Sequence, residues 1–244
     1  MPDISISIVI PCRNEAENLP LLLDEIEAAM VGRAFEVIVV NDGSTDDTAS
    51  VLAAQTAMRA FPLRQLRHEK SAGQSLSLRS GAWAARGEIV ATIDGDGQND
   101  PQYIPVLIDA LRQAGPGAGA AQGQRLKRRD SRAKRLASRF ANWLRNAILH
   151  DETRDTGCGL KAIHRDILRK LPFFDGTHRF VPALVIQEGF RVVHCDVIDR
   201  SRRHGQSNYG IFDRGLQGAL DLLGVWWLRR RRRRMPKVEE IHHA

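Results

Sequence analysis

Asp94, Asp96 and Asp100 fall within seven residues of one another in "ATIDGDGQNDP" (91–101), spaced by Gly95 and Gly97 and preceded by the apolar run "EIVATI". Two carboxylates at i and i+2 behind a strand can be turned toward one hard cation by a glycine-permitted turn, and Gln98 adds a neutral oxygen. An EF-hand loop also begins D-x-D, but it needs glycine at its sixth position and a bidentate glutamate at its twelfth. Asn99 and Pro105 stand there, which excludes it. Two readings stay open, a solvated acidic turn and a cation site that binds phosphate. The position at a strand's carboxyl end, beside two other polar loops, favours the second. Asp100 belongs to the turn before Pro101.

The elements that must position these residues are legible as alternating short strands and helices. "ISISIVI" (4–10), "EVIVV" (36–40), "LRQLRH" (63–68), "EIVATI" (88–93) and "GAAQGQ" (119–124) read as strands. The first helix runs to about Met30, with Asn14 as N-cap, Glu17 as its capping-box partner and Leu19, Leu22, Leu23 and Ile26 on one face. A second helix follows "NDGSTDD", a third begins at Gly73 and Ser75, and a fourth follows Pro101. Such alternation predicts βαβ units and a parallel sheet covered on both faces. In open α/β sheets ligands bind beyond the carboxyl ends of the strands, where "PCRNE", "NDGSTDD" and "DGDGQND" all lie. The second half is less regular: a helix over 131–149 carrying Leu136, Phe140, Trp143, Leu144 and Ile148 on one side, then strand-like "GLKAI", helices around "HRDILRKL" and "RFVPALVIQEGF", and strand-like "RVVHCDVIDR".

A 43% apolar content in 244 residues supports one substantial core with a short appendage, divided here as a domain over 1–214 and a tail over 215–244. Cys12, Cys158 and Cys195 show no CxxC spacing, which excludes a disulfide framework and a zinc ribbon and fits a reducing compartment. The N-terminus reads as a first strand, not a leader peptide, so the protein is expected in the cytoplasm. Residues 1–100 hold 15 Asp and Glu against 8 Lys and Arg, so the net +7 of the chain arises in the second half. Eight basic residues lie between Arg125 and Arg139, and Arg229–Arg234 form one run. Such patches suit phosphorylated substrates, anionic lipid or nucleic acid, while many of these side chains simply form a solvated face. No Walker A or G-x-G-x-x-G pattern occurs, which removes the usual support for P-loop hydrolysis and NAD binding. Asp155 in "RDTGCGL" is either a general base or a turn residue orienting backbone. Cys158 and Trp143 are expected to pack.

Four ordered motifs, "SIVIPCRNEAENL", "VIVVNDGSTDDT", "GEIVATIDGDGQNDP" and "RSRRHGQSNYG", together resemble family 2 glycosyltransferases of the dolichol-phosphate mannosyltransferase-like branch over roughly residues 5–215. The resemblance implies a GT-A, Rossmann-like α/β fold with a mostly parallel central sheet that binds a nucleotide-sugar. By it, Pro11, Arg13, Asn14 and Glu15, then Asp42 and Ser44, then Gly73 and Gln74 hold the donor. Asp94, Gly95 and Asp96 form the DxD element, which engages donor and Mg²⁺ or Mn²⁺ with Gln98 as a further ligand. Arg125 and Arg202 serve donor or acceptor phosphate, and Ser207 joins Arg202 in the R-x-x-G-x-S motif. Asn208 stands where the family often has Lys, so no phosphate contact is carried over there. The implied reaction is inverting transfer from a UDP- or GDP-sugar to a polyprenyl phosphate. Transfer to a lipid or saccharide hydroxyl, or binding of nucleotide-sugar or nucleic acid without catalysis, are the alternatives, and no nucleic acid is expected.

The tail "GLQGALDLLGVWWLRRRRRRMP" (215–236) places Leu216, Leu220, Leu223 and Trp227 on one helical face, but its apolar run from Leu216 to Leu228 is too short to span a bilayer. An amphipathic helix ending in two tryptophans and six arginines suits an anionic membrane surface, where each basic residue contributes about 1 kcal/mol. The competing readings are a core helix with a solvated charge run and a nucleic-acid tail. The expectation is peripheral docking at the inner face of the cell membrane, alone or assisted by a membrane-protein partner.

Overall fold

The computed structural model describes residues 4–126, 145–201 and 211–231. Its first half alternates β1 (Ile6–Cys12), α1 (Leu19–Ala29), β2 (Phe35–Asp42), α2 (Thr48–Met58), β3 (Leu63–His68), α3 (Gln74–Ala84), β4 (Ile89–Thr92), α4 (Tyr103–Gln113) and β5 (Ala118–Arg125). The second half adds β6 (Lys161–His164), α5 (Arg165–Lys170), a 3₁₀ turn (Thr177–Arg179), α6 (Val181–Gln187), β7 (Arg191–Val197) and α7 (Ile211–Arg231). One sheet orders them β3-β2-β1-β4-β6-β5-β7. Every pairing is parallel except those of β6, which runs antiparallel between β4 and β5. The sheet is thus mostly parallel, as the family resemblance implied, and the exception is β6, which follows β5 only after a long excursion. Its first residue, Lys161, consequently pairs with Thr92, the last residue of β4, and the segment before it lies at the edge of the sheet where β4 ends.

β1 and β2 are apolar on both faces because both faces are covered. Ile6, Ile8 and Ile10 pack with Leu22, Leu23 and Ile26 of α1 and Leu107 and Leu111 of α4. Val9, Ile38 and Val40 form the opposite cluster. A further cluster joins β5 and β6 to α5, α6 and α7 through Ile163, Ile167, Phe180, Leu184, Leu222 and Val225.

Two expected helices change. α1 begins at Leu19, with Asn18 at the N-cap and Pro20 in its first turn, and no side chain caps it. Asn14 is not its cap: it lies at φ 57° in the preceding loop. α7 crosses the 214/215 division and buries Leu222 and Val225 in the main body, while Arg229 Nη1 donates to the Leu149 carbonyl. Of the expected membrane face, Leu220, Leu223 and Trp227 are 61%, 57% and 56% exposed, so α7 is a docked helix with a second, uncovered apolar side. No helix among the described residues is long and apolar enough to cross a membrane. Residues 145–149 are helical, as expected for the end of the 131–149 segment. Leu136, Phe140, Trp143 and Leu144 lie outside the described residues.

Candidate functional site

Because β2, β1 and β4 are adjacent and parallel, the loops that follow them meet at one edge. Asn14 and Glu15 bind the first loop to the second. The Asn14 amide donates to Ser44 Oγ at 3.0 Å, Asn14 Oδ1 accepts from the Thr45 amide at 2.8 Å, and the Glu15 amide donates to Thr48 Oγ1 at 3.0 Å. The left-handed backbone of Asn14, a conformation asparagine tolerates, aims both groups across the gap. Pro11 borders the third loop: a Cβ on Gly95 would sit 3.1 Å from the Pro11 carbonyl and from Cys12 Cβ. Gly95 is thus favoured by close approach, whereas Gly97, at φ +70°, supplies the turn. Arg13 is exposed at the rim.

The Asp94 side chain is held between two neighbours. Gln74 Nε2 donates to Asp94 Oδ1 at 2.7 Å, and Gly159 backs Oδ2 so closely that its absent Cβ would lie 2.4 Å away. Burial first, and then the charge of Asp96, push the Asp94 carboxyl up to about 6, against the pull of Lys161 and Arg125. Asp96 Oδ1 accepts from the Gln98 amide at 3.1 Å, and the Gln98 carbonyl accepts from the Arg200 amide at 2.8 Å, which ties this loop to the segment after β7. Asp100 belongs to the turn, as expected, accepting from the Gln102 amide and pairing with Arg200.

Arg125 and Asp155 meet, but as partners of each other. Nε and Nη2 of Arg125 donate to the two Asp155 oxygens, and Nη1 donates to Asp199 Oδ2 at 3.0 Å. Burial would lower the arginine pKa; the two carboxylates outweigh it and hold it above the ordinary value. Asn99 Nδ2 joins Asp199 to the Asp94 loop at 3.1 Å. Leading into Asp155, His150 and Glu152 adopt left-handed backbone on either side of Asp151, which is fully buried and paired with Arg145.

Asp42 accepts from His68 Nδ1, from Ser71 Oγ and from the amides of Ala72 and Gly73, at 2.7 to 2.9 Å. Burial raises its pKa, but these bonds outweigh burial and hold the carboxyl below its ordinary value. Its visible work is to fold residues 71–73 so that Gln74 reaches Asp94. Cys158 packs as expected, its thiol pushed up to about 11 by burial. Arg202, Ser207 and Asn208 lie outside the described residues.

Sequence reasoning did not single out Gly159, Asn99, Asp199 or Lys161. Lys161 is 5% exposed, donates to the Cys158 carbonyl, and has its pKa pulled down by burial against the opposing charges of Cys158, Asp94 and Asp155. A lysine inside the apolar strand "GLKAI" was the available signal for it.

The donor set fits a small hard dication. Asp94 and Asp96 lie close enough for the charge of one to raise the pKa of the other, a cation would relieve that repulsion, and Mg²⁺ or Mn²⁺ takes one or two carboxylates with substrate phosphate and water completing the shell. Among the described residues no group of three or more His, Cys, Asp or Glu forms a self-sufficient metal cage.

Residues 7–172 match the family described as "Glycosyl transferase family 2". The chain is 33% identical over 232 residues to the dodecaprenyl-phosphate galacturonate synthase of Rhizobium johnstonii, covering 93% of this chain and 68% of that protein. It is 34% identical over 208 residues to the undecaprenyl-phosphate 4-deoxy-4-formamido-L-arabinose transferase of Pseudomonas paraeruginosa, covering 84% of this chain and 60% of that one. The chain thus spans about two thirds or less of the length of these curated relatives. Among solved structures, glucosyl-3-phosphoglycerate synthase from Mycobacterium tuberculosis in complex with Mg²⁺ and UDP superposes with a TM-score of 0.70 at 22% identity, over 93% of this chain and 79% of that one. That likeness establishes the GT-A-like fold.

Proposed function

Because this chain belongs to glycosyl transferase family 2, we propose that it transfers a sugar, with inversion, from a UDP- or GDP-sugar to a polyprenyl phosphate. The observation that carries this reading is the pair Asp94 and Asp96 at the edge where the β1, β2 and β4 loops and the entry to β6 converge. The names of the two relatives, which act on dodecaprenyl and undecaprenyl phosphate, support the acceptor.

In this reading Asn14, Glu15, Ser44 and the Asp42-ordered turn at Gly73 form the donor's bed, with Pro11 and Arg13 at its border. Asp94, Asp96 and Gln98 hold Mg²⁺ or Mn²⁺, which when bound supplies positive charge to the leaving diphosphate. Gln74 and Gly159 fix the Asp94 carboxylate, so that end of the site needs no rearrangement as charge develops. The acceptor phosphate oxygen is already anionic at neutral pH and needs no general base. Asp155, with both oxygens on the Arg125 guanidinium, is then a positioning residue that orients Arg125 and the 155–159 segment. Arg202 and Ser207 are assigned to the acceptor phosphate through the R-x-x-G-x-S motif alone.

A panel of UDP- and GDP-sugars, incubated with polyprenyl phosphate in membranes and Mn²⁺ or Mg²⁺, should yield an organic-extractable glycolipid with one donor. No lipid product with any donor overturns the acceptor assignment. Asp96→Ala should abolish metal-dependent donor binding. Equal donor affinity with and without EDTA in the wild-type protein would refute the cation's place there.

We further assign the uncovered side of α7 to the cytoplasmic membrane surface. Leu220, Leu223, Trp226 and Trp227 are exposed beside Arg229–Arg231, and Arg230 stacks 4.4 Å over the Trp226 ring. Leu223→Asp should lower co-sedimentation with anionic vesicles roughly ten-fold, the scale of burying one leucine side chain. Its exposure predicts an unchanged melting temperature, and unchanged vesicle binding would remove this side from the membrane contact.

A further inference from the structure

Next to the crevice just described, a cavity of about 50 Å³ opens between α3, α5 and the segment before the 3₁₀ turn. On that measure a water needs about 10–15 Å³, so the space admits several carbon-sized groups. Its walls are apolar, from Leu78 and Ala82 of α3, Ile163 of β6, Leu168 of α5 and Leu171 beyond it. Its floor is polar and buried: Ser75, Thr92 and Lys161 are 4%, 4% and 5% exposed, and His178 Nδ1 bonds Ser75 Oγ at 2.7 Å. Its mouth is aromatic and basic. Phe173 is 39% exposed beneath the Arg79 guanidinium at 4.4 Å, and Trp83 is 57% exposed with Arg169 at 5.6 Å. Arg169 also donates to the carbonyls of Ala82, Trp83 and Ala85, which holds the end of α3 in place as one wall.

Two features identify an occupant. The lining contains Arg79, Lys161, Arg169 and His178 but no Asp or Glu, so it suits an anion carrying hydrocarbon. The floor also adjoins the reaction centre: Gln74, next to Ser75, bonds Asp94, and Lys161 pairs in the sheet with Thr92, two residues before Asp94. His178 is pushed down to about 3 by burial and then by the charges of Lys161 and Arg179, so it is neutral and adds no competing charge. α7 packs next to this region, its Asp221 lying against Gly176 and its Leu222 in the same cluster as the wall residue Leu171.

We propose that this slot receives the first prenyl unit of the acceptor lipid, with the phosphate-bearing end directed toward the Asp94 side of its floor and the chain leaving between Phe173 and Trp83 toward the membrane surface. This rests on the polyprenyl-phosphate reading and adds the place where the chain is gripped.

The test uses the full chain and a short prenyl phosphate carrying a photoactivatable diazirine on its first unit. Labelling is expected within residues 78–83 or 168–173. Labelling confined to other segments overturns the slot. In parallel, Ala82→Phe, which fills the cavity, should raise the acceptor KM about ten-fold or more, the worth of roughly two buried methylenes. Donor affinity should be unchanged. If Ala82→Phe does not fold, Trp83→Ala and Phe173→Ala at the exposed mouth take its place, with an expected rise of several-fold. An unchanged acceptor KM in a folded variant overturns the slot while leaving the acceptor class intact. Absence of lipid product from the wild-type protein with any donor overturns the acceptor class and the slot together.

Discussion

Gly159→Ala is expected to reduce glycosyl transfer about 100-fold or more while the protein stays folded. The new methyl carbon would stand 2.4 Å from Asp94 Oδ2, 2.5 Å from Asp94 Cγ and 2.7 Å from Asn99 Oδ1. Such contacts are impossible, so the Asp94 side chain must rotate off its Gln74 bond. An ångström of displacement at a reacting centre costs on the order of 100-fold. The strand register is untouched, so the fall in melting temperature should be only a few degrees. Donor titrations with and without EDTA would show the loss as metal-dependent binding. Wild-type kcat/KM in Gly159→Ala would mean that the Asp94 position seen here is not the working one.

Arg125→Ala should act mainly on stability. The guanidinium pairs with Asp155 and Asp199, whose side chains are 7% and 16% exposed, and its loss leaves both carboxylates poorly solvated and without that cation. Breaking such a buried pair costs about 3–5 kcal/mol. At roughly 2–4 °C per kcal/mol for a chain of this size, melting should fall by about 6–20 °C. Thermal unfolding and a double-mutant cycle with Asp155→Asn would check this, the cycle showing a coupling of about 1–3 kcal/mol. Unchanged melting with additive effects would return Arg125 to a role on substrate phosphate alone. The single Asp155→Asn variant also separates acceptor chemistries. Turnover on a polyprenyl phosphate should persist, whereas a hydroxyl acceptor served by Asp155 as base would lose it.

The sequence by itself determined the βαβ frame and the loops that meet on it. Period-two apolar runs and turn residues are local signals, and they located β1 to β5 and the three polar loops that parallel pairing must bring to one edge. The D-x-D pattern by itself left a solvated acidic turn and a cation site both open, and its position at a strand's carboxyl end beside two other polar loops favoured the cation site. Tertiary structure alone decided what those residues touch. Antiparallel entry of β6 is a long-range pairing with no local signature, and it brings Gly159 and Lys161 against the end of β4. Asn14 carried a cap signal that a contact 31 residues away, to Thr45, overrode. Arg125 was legible as a cation near phosphate chemistry, but its nearest charges are Asp155, 30 residues on, and Asp199, 74 residues on. Helical period correctly placed Leu220, Leu223 and Trp227 on one side of α7. Only packing showed that the other side, through Leu222 and Val225, meets the core, since a period reports a face and not what lies opposite it.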